Sequence, residues 1–445
     1  MIKQNLIQIC LLCAAMLQAT TSKAQPTTAI ATRGLHSLYL KSDGSLWAMG
    51  DNVNGQLGDG TFNSTNRPEQ ITTNVTAIAA GFYHSLFLKS NGSLSAMGDN
   101  FYGELGDGTF NNTNHPEQIV ATNVMAIAAG DFHSLFLTNG GSLWVMGNND
   151  HGQLGDGTTD NGNFYTNRPE QIVPTNVTTI AAGGNHSLFL KNDGSLWAMG
   201  DNSYGDLGDG TFNNTNRPEQ IATNVIAIAA GYGHSLFLKN DGSLWVMGYN
   251  IDGQLGDGTF NNTNRPEQIA TNVMAIAAGE YHSLFLKSDG SLWAMGNNSD
   301  GGLGDGTFNN TNRPEQIVSG GVTAIAAGYG HSLFLKSDGS LWAMGYNSAG
   351  QLGDGTFNNT NRPEQIVAGP LGYDQISGQL MSGGNMRLLF VGIASTNYAL
   401  DRSFSLEPAN WVPQLTNPAG TGGVVVFTNT PGQATNNFWR IRSVP

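Results

Sequence analysis

The sequence predicts an all-β chain: a seven-bladed β-propeller followed by a small C-terminal β-sandwich-like domain. Three observations carry this. One unit recurs seven times, at intervals of 48 to 53 residues. Each unit splits into four short apolar or alternating segments divided by turn residues. Gly supplies 60 of 445 residues while only 12% are charged, which argues against coiled coils and charge-rich disordered chains.

Residues 1–24 read as a secretory signal peptide. Lys3 gives a basic start, Leu6 to Leu17 is an apolar run too short to span a bilayer, and Ser22-Lys23-Ala24 is a small-x-small cleavage site. Both cysteines, Cys10 and Cys13, fall inside this segment, so the mature chain is expected to hold no disulfide. No later stretch reaches the ~18 apolar residues of a membrane helix. The mature chain would carry 17 basic and 33 acidic residues, a net charge of −16. That balance repels phosphate backbones and anionic membranes, so nucleic acid and membrane spans are not expected as partners or features.

Residues 25–371 are expected to form the propeller. The block H-S-L-F-L-K or a close variant starts at His36, His84, His133, His186, His234, His282 and His331. S-L-W-x-M-G (S-L-S-A-M-G in the second unit), L-G-D-G-T and P-E-Q-I follow each one. In the fifth unit, Val225 to Ala230 is an apolar strand and His234 to Lys239 alternates. Asp241-Gly242 suits a tight hairpin, since both residue types tolerate positive φ. Ser243 to Met247 returns, and Pro266 to Ile269 forms a short edge strand with Pro at its start. Four strands match one blade, and a blade alone is too small to bury its faces. An open solenoid is the rival, though its coils are usually shorter. The third unit holds an insertion at Asp160 to Tyr165, in a polar stretch that suits a loop.

The succession G-x-x-H-S-L-x-L, D-G-x-L-W, G-x-N-x-x-G-Q-L-G-D-G-T and R-P-x-x-I resembles the regulator of chromosome condensation repeat. The resemblance covers all seven units and implies a seven-bladed β-propeller. It differs from kelch repeats, which carry a double glycine followed by spaced Tyr and Trp. The family's eukaryotic founder is a nuclear exchange factor for a small GTPase, and a secreted bacterial member inhibits β-lactamases. Three departures argue against transferring the exchange activity: a secretory start, an acidic charge and no basic tail.

Residues repeated in every unit read as scaffold. Seven histidines around a ring lie too far apart to share one zinc, so each is expected to hydrogen-bond the turn of its blade. Six tryptophans at one site, with Ser95 in the second unit, are expected to pack between blades. The Asp of L-G-D-G-T could suit calcium, but an Asx-turn is the simpler reading. No nucleophile, zinc-protease, Walker or Rossmann motif occurs, and neither an enzyme nor a cofactor is expected.

Positions that change between units are free to carry specificity. The pair before each His supplies Phe82, Tyr83, Asp131, Phe132, Tyr232, Glu280, Tyr281 and Tyr329. The position after each Met-Gly supplies Tyr249 and Tyr346. These ten are the candidate binding residues, expected as a ring of exposed aromatics and acids on one face. Residues 372–445 are expected to form a small β domain, with Trp411 after a Ser/Leu strand. The functional expectation is a secreted or envelope-located, monomeric, non-catalytic scaffold that binds an extracellular protein or glycan. The alternatives are an inhibitor of a secreted enzyme and, by resemblance alone, an exchange factor.

Overall fold

Seven four-stranded antiparallel sheets make up the ring, each built from consecutive strands. A computed structural model describes residues 25–159 and 165–369 and, beyond them, six strands between 377 and 444. The blades span 27–72, 75–120, 124–173, 177–222, 225–270, 273–318 and 322–367. The signal segment and nearly all of the third-unit insertion lie outside the described residues.

The fifth blade stands for the rest. Its strands are Val225–Ala230, His234–Lys239, Leu244–Gly248 and Thr263–Ala270. At the hairpin only Gly242 takes a positive φ, 78°. Asp241 has a different task from the one expected. Its Oδ1 accepts the Ser243 N–H at 2.9 Å and the Ser243 hydroxyl at 2.6 Å, which staples the turn. The last strand is longer than expected, so Pro266 does not start it. Pro266 sits where the ladder slips between the Val246–Glu267 and Gly248–Thr263 pairs, so no ladder N–H is lost there.

Each blade has a leucine face and an aromatic face. Leu236, Leu238, Leu244, Val246 and Leu255 of the fifth blade meet Val273, Phe285 and Met295 of the sixth. Removing a ring as buried as Phe285, 1% exposed, costs about 3–5 kcal/mol. A tryptophan packs against six of the seven such cores, as Trp293 does here; the core under the second blade, which carries Ser95, has none. Within its own blade Trp245 stacks on Phe237 at 6.1 Å and 3°, and Lys239 Nζ lies 4.2 Å from the centre of its ring.

The histidines join neighbouring blades rather than their own turns. His186 Nε2 lies 2.9 Å from Ser235 Oγ of the next blade. Ser235 Oγ donates its single proton back to the Asp206 carbonyl at 2.7 Å. The serine therefore accepts from the histidine, which fixes the Nε2–H tautomer. The same His–Ser joint recurs at all seven blade boundaries. At the last boundary His331 Nε2 reaches Ser37 at 3.0 Å and Thr32 Oγ1 at 2.7 Å. Leu333, Leu335 and Leu341 pack there on Tyr39 and Met49. The ring thus closes without a strand shared between its ends. In six of the seven units the glycine three residues before the histidine has no room for a side chain: a Cβ on Gly231 would strike the His234 ring.

Beyond the ring, the described strands pair as two three-stranded antiparallel sheets. One orders 377–380, 386–391 and 424–429; the other orders 412–418, 397–403 and 438–444. Trp411 lies outside the described residues.

Burial holds the joint histidines neutral. The rings of His36, His186 and His282 are lowered to about 4, those of His84, His234 and His331 to about 3, and His133 is also depressed. In the unfolded chain they protonate near 6.5. Stability is therefore fully present above pH 6.5 and is lost as pH falls toward 4, by about 1.4 kcal/mol per pH unit for each histidine. Three buried acids described below oppose this trend but are fewer. We expect urea denaturation at pH 7.0, 5.5 and 4.5 to show a steep loss; a flat profile would contradict the neutral joints.

Candidate binding face

Two backbone bridges bring the variable positions together. The residue after each Met-Gly donates its N–H to the carbonyl just before the His, as Asp99 does to Tyr83 at 2.9 Å and Tyr249 to Gly233 at 2.7 Å. Both variable sets therefore lie at the same end of the blades. On the axis at this end, innermost loops bond in succession: Tyr329 N to Gly34 O, Gly34 N to Gly81 O, and Phe82 N to Gly130 O.

Arg33 occupies the place that a glycine takes in the other six units. Its side chain crosses the axis. Nε donates to Asp131 Oδ1 at 2.6 Å, Nη1 to the Ala182 and Ala230 carbonyls at 3.1 Å each, and Nη2 to the Gly231 carbonyl at 3.2 Å. Glu280 Oε1 stands 3.7 Å from Nε. Burial works against the Arg33 charge, yet Asp131 and Glu280 hold its pKa above the ordinary value. Burial, with the Asp131 charge, pushes Glu280 well above the usual carboxyl range, so Glu280 keeps its proton and bonds Asp131. Arg33 and Asp131 then balance. Asp131 and Glu280, 4% and 1% exposed, depart from the exposed ring expected of them: they turn inward as counter-groups to Arg33.

The aromatic candidates do form one connected group. Tyr232 meets Tyr281 at 5.6 Å, Tyr281 meets Tyr329 at 6.0 Å, and Tyr329 meets Phe82 at 6.1 Å. Phe82 contacts Tyr83 at 4.5 Å and Phe132 at 6.5 Å, and Tyr346 joins Tyr329 at 6.1 Å. Gly34 of the first blade leaves the gap across which Phe82 and Tyr329 touch. Tyr249 stands apart from this group, paired with Tyr204 at 4.6 Å. The group extends to residues the sequence reading did not rank as sites. Tyr102 packs on Phe132 at 5.2 Å, and Tyr165 bridges Tyr102 to Phe110. The result is a horseshoe of rings around a plugged axis, open at the fourth blade, where Gly184 and Asn185 stand.

Carboxylates line the same face. Burial first, and then Asp51, Asp99 and Asp131, raise the Tyr83 hydroxyl. Burial with Asp150 nearby raises Tyr102, burial with Asp131 raises Tyr232, and burial with Glu280 and Asp300 raises Tyr329. These phenols keep their protons and serve as donors.

Beneath them, two acids replace an amide. In the first blade Gln56 Nε2 donates to Asp51 Oδ2 at 3.0 Å, and in the third Gln153 Nε2 donates to Asn148 Oδ1 at 2.7 Å. The second and fourth blades place Glu104 and Asp206 there, buried and facing Asp99 and Asp201. Glu104 Oε2 still accepts the Tyr102 N–H at 2.9 Å, as Gln56 accepts Asn54, but Oε1 lacks a partner. Burial pushes Glu104 up to about 8 and Asp206 well above the usual range, so a retained proton stands in for the amide hydrogens.

The Asp-Gly loops are stapled turns. Asp59 Oδ1 accepts the Thr61 N–H at 2.8 Å and Asn52 Nδ2 at 3.0 Å, so donors rather than oxygen ligands surround it. Among the described residues, no group of three or more His, Cys, Asp or Glu is placed to hold a metal. The residue after this turn is an exposed phenylalanine in six blades: Phe62, Phe110, Phe212, Phe260, Phe308 and Phe357. The rule that repeated positions are scaffold hid this outer ring, although a repeated aromatic in a polar loop was its visible signal.

Two variants test the axis. Arg33→Gly restores the common residue but leaves Asp131 buried without its partner; we expect about 3–5 kcal/mol lost in denaturant unfolding. Glu280→Gln, which keeps a neutral donor, should change stability by less than about 1 kcal/mol at pH 7. A further variant tests the retained proton. The Glu104 contribution is present below about pH 4.5 and is lost as pH rises through the raised folded pKa of about 8. Glu104→Gln should therefore be more stable than the parent at pH 9 by more than about 1 kcal/mol, with the gap shrinking toward pH 5.

A sequence model of the RCC1-like domain matches residues 120–391, more than half of the chain. Models of the regulator of chromosome condensation repeat match residues 43–88, 91–137 and 75–104. A search of curated proteins found no match. Among solved structures, human WBSCR16 is similar at 24% identity and a TM-score of 0.67, covering 73% of this chain and 94% of that one. Yeast RCC1 (Prp20), bound to Kap60, is similar at 22% and 0.65, covering 75% and 85%. Prp20p from Saccharomyces cerevisiae is similar at 24% and 0.65, covering 74% and 87%. At these identities the likeness is one of fold. The chain belongs to the RCC1-like family of seven-bladed β-propellers.

Proposed function

We propose that this chain is a non-catalytic binding scaffold, exported as a monomer, that holds a macromolecular partner through the aromatic face. The observation that carries this is the continuous group of rings from Tyr232 through Tyr281, Tyr329 and Phe82 to Phe132, spread over five blades. A surface of half-exposed tyrosines with protonated hydroxyls offers apolar area and donors together, the combination that anchors partners. The groups best suited to chemistry near the axis are already engaged. The joint histidines are neutral and bonded to serine, and Arg33 is bonded to Asp131. The N-terminal pattern of residues 1–24 supports export.

The test uses residues 25–445 immobilised beside the variant Tyr83→Ala/Phe132→Ala/Tyr281→Ala. Both are offered culture-medium and envelope fractions and a glycan array, after thermal melting confirms that the variant folds. The expected outcome is a partner retained by the parent and lost, by about tenfold or more, in the variant. Equal retention by a folded variant would remove the face from consideration. Fractionation of the full-length protein into the cytoplasm would remove the export.

A further inference from the structure

We propose that the partner taken by this face is a cationic protein segment, one that presents arginine or lysine side chains. This rests on the reading of the face as a binding surface and adds the chemistry of the occupant.

The argument is charge complementarity. Four tyrosines of the horseshoe have carboxylate neighbours: Asp51 and Asp99 at Tyr83, Asp99 and Asp150 at Tyr102, Asp201 at Tyr232, Asp300 at Tyr329. The isolated Tyr204–Tyr249 pair has Asp252. An aromatic ring is negative on its π face, so ring and carboxylate attract the same ion. Among the described residues, the cation within the horseshoe is Arg33, which is buried and matched by Asp131 and so offers nothing to an anion.

Among the described residues, the lysines of the propeller stand at the other end of the blades. Five lysines lie over tryptophans at the far end of the strands. Lys239 is five residues along the strand from His234, roughly 17 Å away at the usual rise. That is about two screening lengths at physiological salt. The arginines of the outer strands share this end of the blades with the rings but stand outward of them, each against the Asp-Gly loop of the neighbouring blade, as Arg67 does over Gly355.

Ring orientation separates a basic segment from a neutral glycan. Sugars stack on flat, open ring faces. Here neighbouring rings are turned against each other: 47° for Tyr232–Tyr281, 81° for Tyr281–Tyr329 and 86° for Phe82–Tyr329. Such a mosaic offers no extended platform. It does offer clefts between rings into which a guanidinium or ammonium group can insert, with a carboxylate beside it.

The test measures binding of labelled probes to residues 25–445 by fluorescence anisotropy. The probes are an eight-arginine peptide, an eight-lysine peptide, a neutral Gly-Ser peptide of equal length, and cello- and chito-hexaose. Three variants are compared, each checked by thermal melting. Phe82→Ala/Tyr281→Ala/Tyr329→Ala alters the face at constant charge. Asp150→Asn/Asp252→Asn/Asp300→Asn removes face charge. Asp193→Asn/Asp241→Asn/Asp289→Asn removes the same charge from the hairpins at the far end.

The expected result is that the arginine peptide binds at least about tenfold more tightly than the neutral peptide. Both face variants should lose about tenfold, the far-end variant should stay within about twofold, and added salt should weaken binding. An equal loss in the far-end variant would overturn the proposal in favour of diffuse attraction to an acidic protein. Retained affinity in the aromatic variant would overturn it as well. If a hexaose binds in a face-dependent way and the cationic peptides do not, the binding-face reading stands and the cationic partner falls. If no probe responds to either face variant and the immobilised-partner comparison above is also negative, both readings fall.

Discussion

The ring depends on one repeated joint, a neutral histidine of one blade donating to a serine of the next. The hydrophobic faces supply most of the driving force for association, but apolar contact is poorly directional and would tolerate sliding. The His–Ser–carbonyl relay is directional. Ser235 must accept from His186 and donate to the Asp206 carbonyl, so both blades have one register relative to each other. Because the ends share no strand, the seventh boundary has to be as good as the other six. There His331 finds both Ser37 and Thr32. The uniformity of the units follows from this. A change to the histidine or the serine leaves a buried polar atom unpaired at one of only seven places where the ring can come apart, and in six units a side chain on the neighbouring glycine would collide with the histidine ring.

The same uniformity makes the deviations informative. A ring of seven equal blades has an opening on its axis. One substitution, Arg33 in place of glycine, closes that opening at one end. The guanidinium bonds Asp131 of the third blade and backbone carbonyls of the fourth and fifth, with Glu280 of the sixth beside it. A buried charge without these partners would be costly, so Arg33, Asp131 and Glu280 are one feature distributed over three distant units. Above the plug, Gly34 leaves the first blade bare and lets Phe82 meet Tyr329 across it. The rings of five blades thereby become one surface.

Much of this was legible before any coordinates. The period, the strand phases and the identity of the repeated residues gave the blade count, and the aromatic candidates Phe82, Tyr83, Phe132, Tyr232, Tyr281, Tyr329 and Tyr346 do lie together. What the sequence withheld was direction. Asp131 and Tyr232 occupy equivalent positions, yet one turns inward and the other stays on the face. The difference is set by Arg33, about a hundred residues from Asp131 in the chain, whose reach across the axis no local pattern records. A local reading assigns each joint histidine to its own turn, because the serine it needs belongs to the next unit. Glu104 and Asp206 carry no signal in the sequence, because an acid in place of a loop glutamine looks like surface variation until its burial is known.

Those buried acids change what the composition means. A net charge of −16 for residues 25–445 counts every carboxyl as ionised. Burial keeps protons on Glu104, Asp206 and Glu280, and Arg33 and Asp131 cancel each other. The interior beneath the aromatic face is therefore close to electrically silent at neutral pH. The field felt by an approaching partner comes from the more superficial set, Asp99, Asp150, Asp201, Asp252 and Asp300, interleaved with tyrosine rings. A low-dielectric layer of neutral groups below an exposed array of one sign directs that field outward instead of dissipating it in internal repulsion. The acidity first read as an average of the chain is thus concentrated, in its effect, at the end of the blades where the units cease to be alike.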